Sequence, residues 1–392
     1  MVKVIKRTGL VILVLLVVLF AIIAFASGMF MSKKYLDPWQ KDYYKGFDDI
    51  RLQVASQGLL APNGHNMQPW KIKLDSSDKT AFYLYGDSNL LTPDVDPPAR
   101  QFTITQGAFL QYCSVAASHL GYNADITLFP NGEYDGSVGS INAKPVAKVT
   151  LKKSSKVTDS ALHDALFLPD TSRVAYQSRK LSDSQVEKLK QQNITDNLIL
   201  NIYQDNANMD KISRYVVDSA KIEGSIKEIN NESVKLTRTN EYQKNKYRYG
   251  FSIEGAGTSG LLLYTKEALV TLFPSLNNDA ASQDAIISQA DLAVKNTPAY
   301  AFIITKDNSR KSQVEAGLLY SRVQLEAETM GLAVQPLSQS IEEYPQMSDL
   351  YYNIHKDYAP KGATIQMLFR LGKPLHSVPC SMRRDVTDLL IK

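Results

Sequence analysis

Residues 62 to 70 read PNGHNMQPW. Two prolines, a glycine, three side-chain amides (Asn63, Asn66, Gln68), a histidine and one of the two tryptophans of the chain fall within this stretch. Proline and glycine hold a backbone in one turn shape, and amides on such a turn present donors and acceptors to whatever lies against it. A loop that only ended a helix would need none of them. Three other stretches carry comparable mixtures: PDTSRVAYQSRKLSDSQVEKL from Pro169, MGLAVQPLSQSIE from Met330 and RLGKPLHSVPCSMRRDV from Arg370. Each also has a plain structural account. Thr171 or Ser182 can cap a helix, and Ser182 with Gln185 makes a capping box. Gly331 suits a left-handed C-cap, and Arg383 with Arg384 suits a solvated pair near the chain end.

Other chemistries lack their patterns. The five histidines (His65, His119, His163, His355, His376) are widely spaced, with no HExxH and no paired cysteines, so no zinc site and no metal is expected. There is no G-x-S-x-G elbow and no local Cys/His signature for a nucleophile. GAGTSG at 255–260 lacks the lysine and preceding strand of a P-loop, and no G-x-G-x-x-G follows a strand. Cys113 and Cys380 can pair at most once and read as small buried residues.

The elements that must position the four stretches follow from the pattern of the 392 residues. Hydrophobic content of 44% and charged content of 21% are those of a folded protein, and a net charge of +4 gives no reason to expect nucleic acid. Lys3, Lys6 and Arg7 precede an uncharged apolar run that predicts one transmembrane helix over about residues 9–30 within an anchor of residues 1–34. The alternative is a cleaved secretory signal, since AFAS at 24–27 resembles a cleavage site. The leading positive charges place the N-terminus in the cytoplasm and the domain outside, at the membrane. A helix is expected from about Trp39 up to the loop, then a hairpin of WKIKL and AFYLYG, a helix from Gly107 to Gly121 and a strand in KPVAKVTLKK. AYAFIITK is a further strand, residues 313–331 a helix and TIQMLFRLG a closing strand. The glycine-bounded helices Gly107–Gly121 and Gly317–Gly331 align with each other, Ala117 falling on Ala327. This predicts a duplication: an α+β chain with one half over 35–160 and another over 161–392, packed as a pseudo-dimer within a monomer. Residues 225–260, and above all the Tyr- and Gly-rich part from 238, read as a lid-like excursion.

Taken together, APNGHNMQPW, TSRVAY, GLAVQPLSQ and RLGKP followed by Arg383–Arg384 resemble the flavin-dependent nitroreductase family. The resemblance is closest to its fused, two-half (Acg-type) branch of FMN-binding proteins, in which one chain imitates the usual homodimer. It spans roughly residues 45 to 390. The loop is its most specific piece, and the rest gains weight from order and spacing.

The resemblance implies a nitroreductase-like fold and one FMN per chain. It assigns Pro62, Asn63, Gly64 and Asn66 to the flavin ring and ribityl chain, and matches Thr171 and Arg173 to the family's cofactor-binding Ser/Arg signature at the start of a protomer, with Arg173 as the cation near N1 and O2. Pro336, Leu337 and Ser338 match the turn that passes N5, and Arg383 and Arg384 match basic residues that hold the phosphate. Gln68 and Trp70 would fix the loop. The loop lies in the first half and its partners in the second, where no N-x-Q-P-W recurs, so one complete site is expected across the seam. Two positions depart from the family pattern: Pro169 stands where a phosphate-contacting arginine is usual, and Asn63 replaces a serine. The implied activity is an oxidoreductase of nitroreductase type, in which flavin passes hydride to an electron-poor acceptor such as a quinone or nitroaromatic, with NAD(P)H as a transient reductant. No side chain is expected to be catalytic, because the flavin carries the chemistry. The alternatives are a flavin-sequestering protein whose 238–260 segment closes over the cofactor, and a membrane-anchored scaffold that has lost it.

Overall fold

The computed structural model describes residues 2–155, 160–169, 171–193 and 195–391. It opens with helix α1 (Val2–Ser27), whose apolar side chains from Leu10 to Phe20 face outward. Its Lys6–Ser27 part is long and apolar enough to cross a membrane. It ends at Gly28, which takes a left-handed φ of 73°, slightly short of the expected limit. The long helix expected before the loop is shorter too. Short 3-10 turns occupy Lys34–Trp39, around Pro38, and Tyr43–Gly46. Helix α2 runs only over Ile50–Gly58, started by Asp49, whose carboxylate accepts the Arg51 N–H.

The first half then carries β1 (Trp70–Leu74), β2 (Ala81–Gly86), α3 (Arg100–His119), β3 (Tyr122–Leu128), α4 (Val138–Ala143) and β4 (Ala147–Lys153). Its strands form an antiparallel sheet in the order β1-β2-β4-β3. After α5 (Ser160–Ala165) and α6 (Asp183–Lys190), with its Ser182/Gln185 capping box, comes β5 (Leu198–Tyr203). A long excursion follows: α7 (Asn206–Ser225), α8 (Lys227–Leu236), β6 (Thr237–Arg238), α9 (Glu241–Tyr247), β7 (Phe251–Ser252), α10 (Gly260–Leu272) and α11 (Asp279–Lys295). The second sheet is completed by β8 (Ala299–Thr305), α12 (Arg310–Thr329), β9 (Ala333–Pro336), α13 (Ser348–Tyr358) and β10 (Thr364–Gly372), in the order β5-β8-β10-β9. It too is antiparallel throughout.

The two sheets repeat one topology, with α3 and α12 as matching connections. These helices cross each other at the two glycines that the sequence aligns. A Cβ on Gly107 would collide with the Val314 carbonyl oxygen, and one on Gly317 with that of Ile104. The contact is reciprocal. At the offset that pairs Gly107 with Gly317, Ile104 pairs with Val314, and Ala108 with Leu318, whose backbone nitrogens flank the same crossing. A close helix crossing needs residues without side chains where the backbones meet, which accounts for both glycines. Tyr112 donates to Gln324 Oε1 at 2.6 Å and Arg322 to Gln111 Oε1 at 2.8 Å along the same seam.

The cores follow this arrangement. Trp70, Phe82, Phe109 and Tyr112 fill the first. The second sheet is buried on both faces, against α12 on one and α7, α11 and α13 on the other. Each such aromatic or branched side chain contributes about 1.5–3 kcal/mol on burial. The chain does not stay within two sequence blocks. Ala165 and Leu166, and from the far end Val386 and Leu389, enter the first core, and Ile391 N–H donates to Ile72 O at 2.8 Å. The C-terminal tail thereby returns to the half that contains the loop.

Candidate functional site

Within the Pro62–Trp70 loop, His65, Asn66 and Gln68 have φ of 51°, 52° and 51°. None is glycine, so each left-handed residue costs about 1 kcal/mol or more and persists only because its surroundings hold it. Asn63 Oδ1 accepts the Gln68 N–H at 2.7 Å, and its Nδ2 donates to Ala61 O at 3.1 Å. Gly64 N–H donates to Thr105 Oγ1 on α3 at 3.2 Å. Trp70 is fully buried against Phe109 and donates Nε1–H to Thr105 O at 3.3 Å. Gln68 and Trp70 therefore fix the loop, as expected of them.

Asn66 and the C-terminal arginines are placed differently from expectation. The Asn66 amide donates to Gly250 O at 3.2 Å and to Met382 O at 3.1 Å, while its Oδ1 accepts from Arg383 Nη1 at 2.9 Å. Arg383 is fully buried. It donates to Leu60 O at 3.0 Å and Ala61 O at 3.3 Å, and lies over the Trp39 ring at 4.7 Å. A guanidinium so enclosed by backbone carbonyls is a strut under the loop, not an open phosphate ligand. Arg384 donates Nη1–H to Gln68 O at 3.2 Å and Nη2–H to Asp388 O at 3.1 Å. Its backbone N–H goes to Gln68 Oε1 at 2.7 Å.

The second half brings an extended stretch to the other side. From Thr171 to Tyr176 burial alternates: Ser172, Val174 and Tyr176 point inward, while Thr171 and Arg173 share the more open face. No helix begins at Thr171, so its capping role lapses. Ser172 N–H donates to Val334 O on β9 at 3.1 Å. Buried Arg370 of β10 ties the stretch down, donating to Val174 O at 2.7 Å and Gln335 Oε1 at 2.8 Å with its guanidinium 3.9 Å from the Tyr176 ring. Val334 and Gln335 of β9, just before Pro336–Ser338, are thereby tied to the Thr171–Tyr176 stretch. The Leu337 side chain is buried in the second core, and its N–H is taken by Leu368 O at 2.8 Å.

The charge of the second side reaches His65. Burial, and then the positive charge of Arg173, push the His65 imidazole down to about 4. It is therefore neutral at physiological pH. A first-half loop residue and a second-half cation are thus within charge range across the seam.

Residues 238–260 lie against the same loop. Gly250 N–H donates to Asn66 O at 3.0 Å, Gln68 Nε2 donates to Arg248 O at 2.9 Å, and Phe251 packs on the His65 ring at 5.2 Å. The segment is anchored from behind by Lys244, fully buried, with its ammonium 2.8 Å from Glu241, 2.6 Å from Glu254 and 2.9 Å from Glu267. Tyr35 donates to Glu241 at 2.8 Å and Lys33 stands 3.3 Å from it. The three carboxylates have a spacing suited to a metal, but the Lys244 ammonium already fills the cation position. Burial pushes Glu267 up to about 7 in spite of this lysine.

The fit of a flavin to these residues differs between its two ends. Among the described residues the buried His65 Nδ1 makes no hydrogen bond, the charge of Arg173 acts on its ring, and Thr171 shares the open face of Arg173. A hydroxyl, an imidazole nitrogen and a cation suit the polar edge of an isoalloxazine. The phosphate end is not supplied by Arg383, and Pro169 offers no donor. Sequence reasoning passed over His65, Ser172, Arg370 and Gly250. His65 stood within the quoted loop and Arg370 opened a quoted stretch, whereas nothing local marked Gly250.

No family model matches the chain. An uncharacterised protein of Mycobacterium tuberculosis is 31% identical over 91 residues, 23% of this chain and 26% of its own length. A second protein of that organism, provisionally named an NAD(P)H nitroreductase, is 27% identical over 93 residues, 24% of this chain and 26% of its own. The matches thus span about a quarter of these curated relatives. Among solved structures, a nitroreductase with bound FMN from Desulfitobacterium hafniense aligns with 58% of this chain and 96% of its own, at 10% identity and a TM-score of 0.36. A nitroreductase-like family protein from Bacillus cereus aligns with 61% and 98%, at 12% identity and a TM-score of 0.32. Superpositions this loose transfer no residue from one site to another.

Proposed function

We propose that the chain is a membrane-anchored, FMN-binding oxidoreductase of nitroreductase type, a single chain standing for the usual homodimer and holding one FMN. The observation that carries this reading is the strained family-like loop of the first half, whose buried His65 Nδ1 is left without a hydrogen bond among the described residues and feels the charge of the family-like cation Arg173 of the second. When bound, FMN supplies two-electron hydride exchange. The Pro62, Asn63 and Gly64 backbone would line the ring, with Thr171, Arg173 and the Pro336–Ser338 turn opposite. Arg173 would favour the anionic reduced form and add to the burial that keeps His65 neutral. Asn66, Gln68 and Arg383 keep the loop in its strained shape, and 238–260 excludes water from above it. Arg384 is the remaining basic residue proposed for the phosphate. The acceptor is proposed to be a quinone or nitroaromatic, with NAD(P)H as reductant where it has access. The helix α1 would span the bilayer, with the domain on the extracytoplasmic side.

The test is the absorption spectrum of the purified full chain. Flavin bands at about one FMN per chain support the reading, and a colourless protein that cannot be reconstituted overturns it. Asn66→Ala and Arg173→Ala, in different halves, should each lower flavin retention. A second reading, flavin sequestration with little turnover, is favoured by the fastening of 238–260 to Asn66 and Gln68. Photoreduction of the bound flavin without NAD(P)H oxidation would select it.

A further inference from the structure

The helix α10 carries an outward row of Leu262, Lys266 and Leu269, at the spacing of one helical face, with Phe273 just past its end. Leu262 is 60% and Phe273 56% exposed, and Leu261, Leu272 and Leu276 are open beside them. Apolar surface of this extent needs a covering. What covers it is indicated by its neighbour. α10 packs along α1, and Leu272 closes a groove formed by Val18, Ala21, Ile22, Phe25 and Ala26. The stretch of α1 from Val18 to Ser27 is about 14 Å long. If α1 crosses a bilayer, Leu272 and Phe273 are carried below the headgroups with it.

The polar groups nearby suit that depth. Asn278 Nδ2 donates to Ser275 O at 2.7 Å, Asn277 Nδ2 to Val234 O at 3.2 Å, and Asn278 Oδ1 accepts from Ala281 at 2.9 Å. These bonds keep three side-chain donor and acceptor atoms of the turn engaged within the protein, which lowers the cost of bringing it towards acyl surroundings. At the other end stand residues fitted to the headgroup level: Tyr242, whose hydroxyl donates to Phe25 O at 3.1 Å, Tyr264, and Lys33 above the Tyr264 ring. Lys266 is long enough to reach the same level from the lipid side.

We propose that α10 and the turn through Leu276 lie in the bilayer beside α1 as a second membrane contact, which seats the 238–260 segment at the lipid surface. This rests on α1 spanning the membrane and is independent of the flavin. The link to the loop is direct: Glu267 of α10 holds Lys244, and the segment that Lys244 anchors holds Asn66.

The test uses the full chain with Cys380→Ser, leaving buried Cys113, and one new cysteine carrying an environment-sensitive fluorophore. Positions are Leu15, Leu269, Phe273 and, as the exposed control, Tyr352 at 66% exposure. Chains are placed one per nanodisc of phosphatidylcholine and phosphatidylglycerol, with or without doxyl-labelled lipid. The expected result is quenching of about twofold or more at Leu15, Leu269 and Phe273 and little at Tyr352. A quenched Leu15 with unquenched Leu269 and Phe273 overturns the proposal alone, whereas an unquenched Leu15 overturns the anchor as well. Labels shielded from water but unquenched, with energy transfer between copies in larger discs, overturn it in favour of a second copy. Leu276→Cys replaces either variant if its thermal melt shows that it has not folded.

Discussion

The two halves share a sheet order and a helix crossing, and differ in what joins their first two strands. In the first, β1 and β2 are joined by a short turn around Asp75 and Asp78. In the second, β5 and β8 are joined by residues 204–298, with five helices and the segment over the loop. The PNGHNMQPW loop, conversely, precedes β1 and has no counterpart before β5, where the chain reads QQNITDN. The frame is symmetric where backbone packing decides it and asymmetric where connections do. Those two unshared pieces are the ones that bond to each other, through Asn66 and Gly250.

The largest expected effects test the symmetric part. Gly107→Ala and Gly317→Ala should each cost about 3 kcal/mol or more, because each Cβ meets a backbone carbonyl that no rotamer can avoid. Denaturant unfolding that finds one severe and the other mild would break the two-fold account of the crossing. Next comes the asymmetric part. Lys244→Met leaves three carboxylates around an empty position and should cost about 3–5 kcal/mol. In the unmodified chain the folded state holds a proton on Glu267 up to about 7, against an ordinary value of 4.5. That contribution is full below the ordinary value and is lost as pH rises through 7. Glu267→Gln should flatten this part of the pH–stability curve, and an unchanged slope would place the charge imbalance elsewhere.

Arg383→Ala should cost about 2–4 kcal/mol, since it strands the carbonyls of Leu60 and Ala61 and opens a void under the loop. Arg384→Ala, at the more open edge, should cost about 1 kcal/mol or less. Equal losses would mean that Arg383 is not the strut. The smallest effect concerns the seam. His65 is held near 4, below its ordinary 6.5, so it contributes stability that is present above 6.5 and lost as pH falls through 4. Arg173→Ala should move the imidazole titration upward, read by proton NMR of the ring, with burial still holding it below 6.5. No movement would separate the two halves of the proposed site.

Much of the frame was legible because it depends on local pattern. Alternation in WKIKL and the apolar and aromatic runs of AFYLYG and TIQMLFRLG marked strands, and the glycines at 107 and 317 marked the matching helices. Helix limits were less legible. Pro38 and Gly46 favoured short turns before α2, and α3 begins at Arg100 because Asp96 accepts the Arg100 N–H there. Within the site, residue types pointed correctly to the loop but not to the direction of each side chain. The expectation that Asn66 faces a ligand and Arg383 a phosphate treats them as free groups, and tertiary packing had already engaged both with backbone carbonyls.

By itself, the sequence determined where the apolar helix lies, which segments form strands, which helices correspond and which loop is chemically unusual. All of these are encoded in neighbours a few residues apart. Only the tertiary structure decided that the C-terminal tail returns beneath the loop, that Arg173 stands within charge range of His65, and that Gly250 closes on Asn66. Those contacts join residues far apart in the chain, and no local period records them, because their partners are selected by which buried donor and acceptor must be satisfied once the two halves have packed.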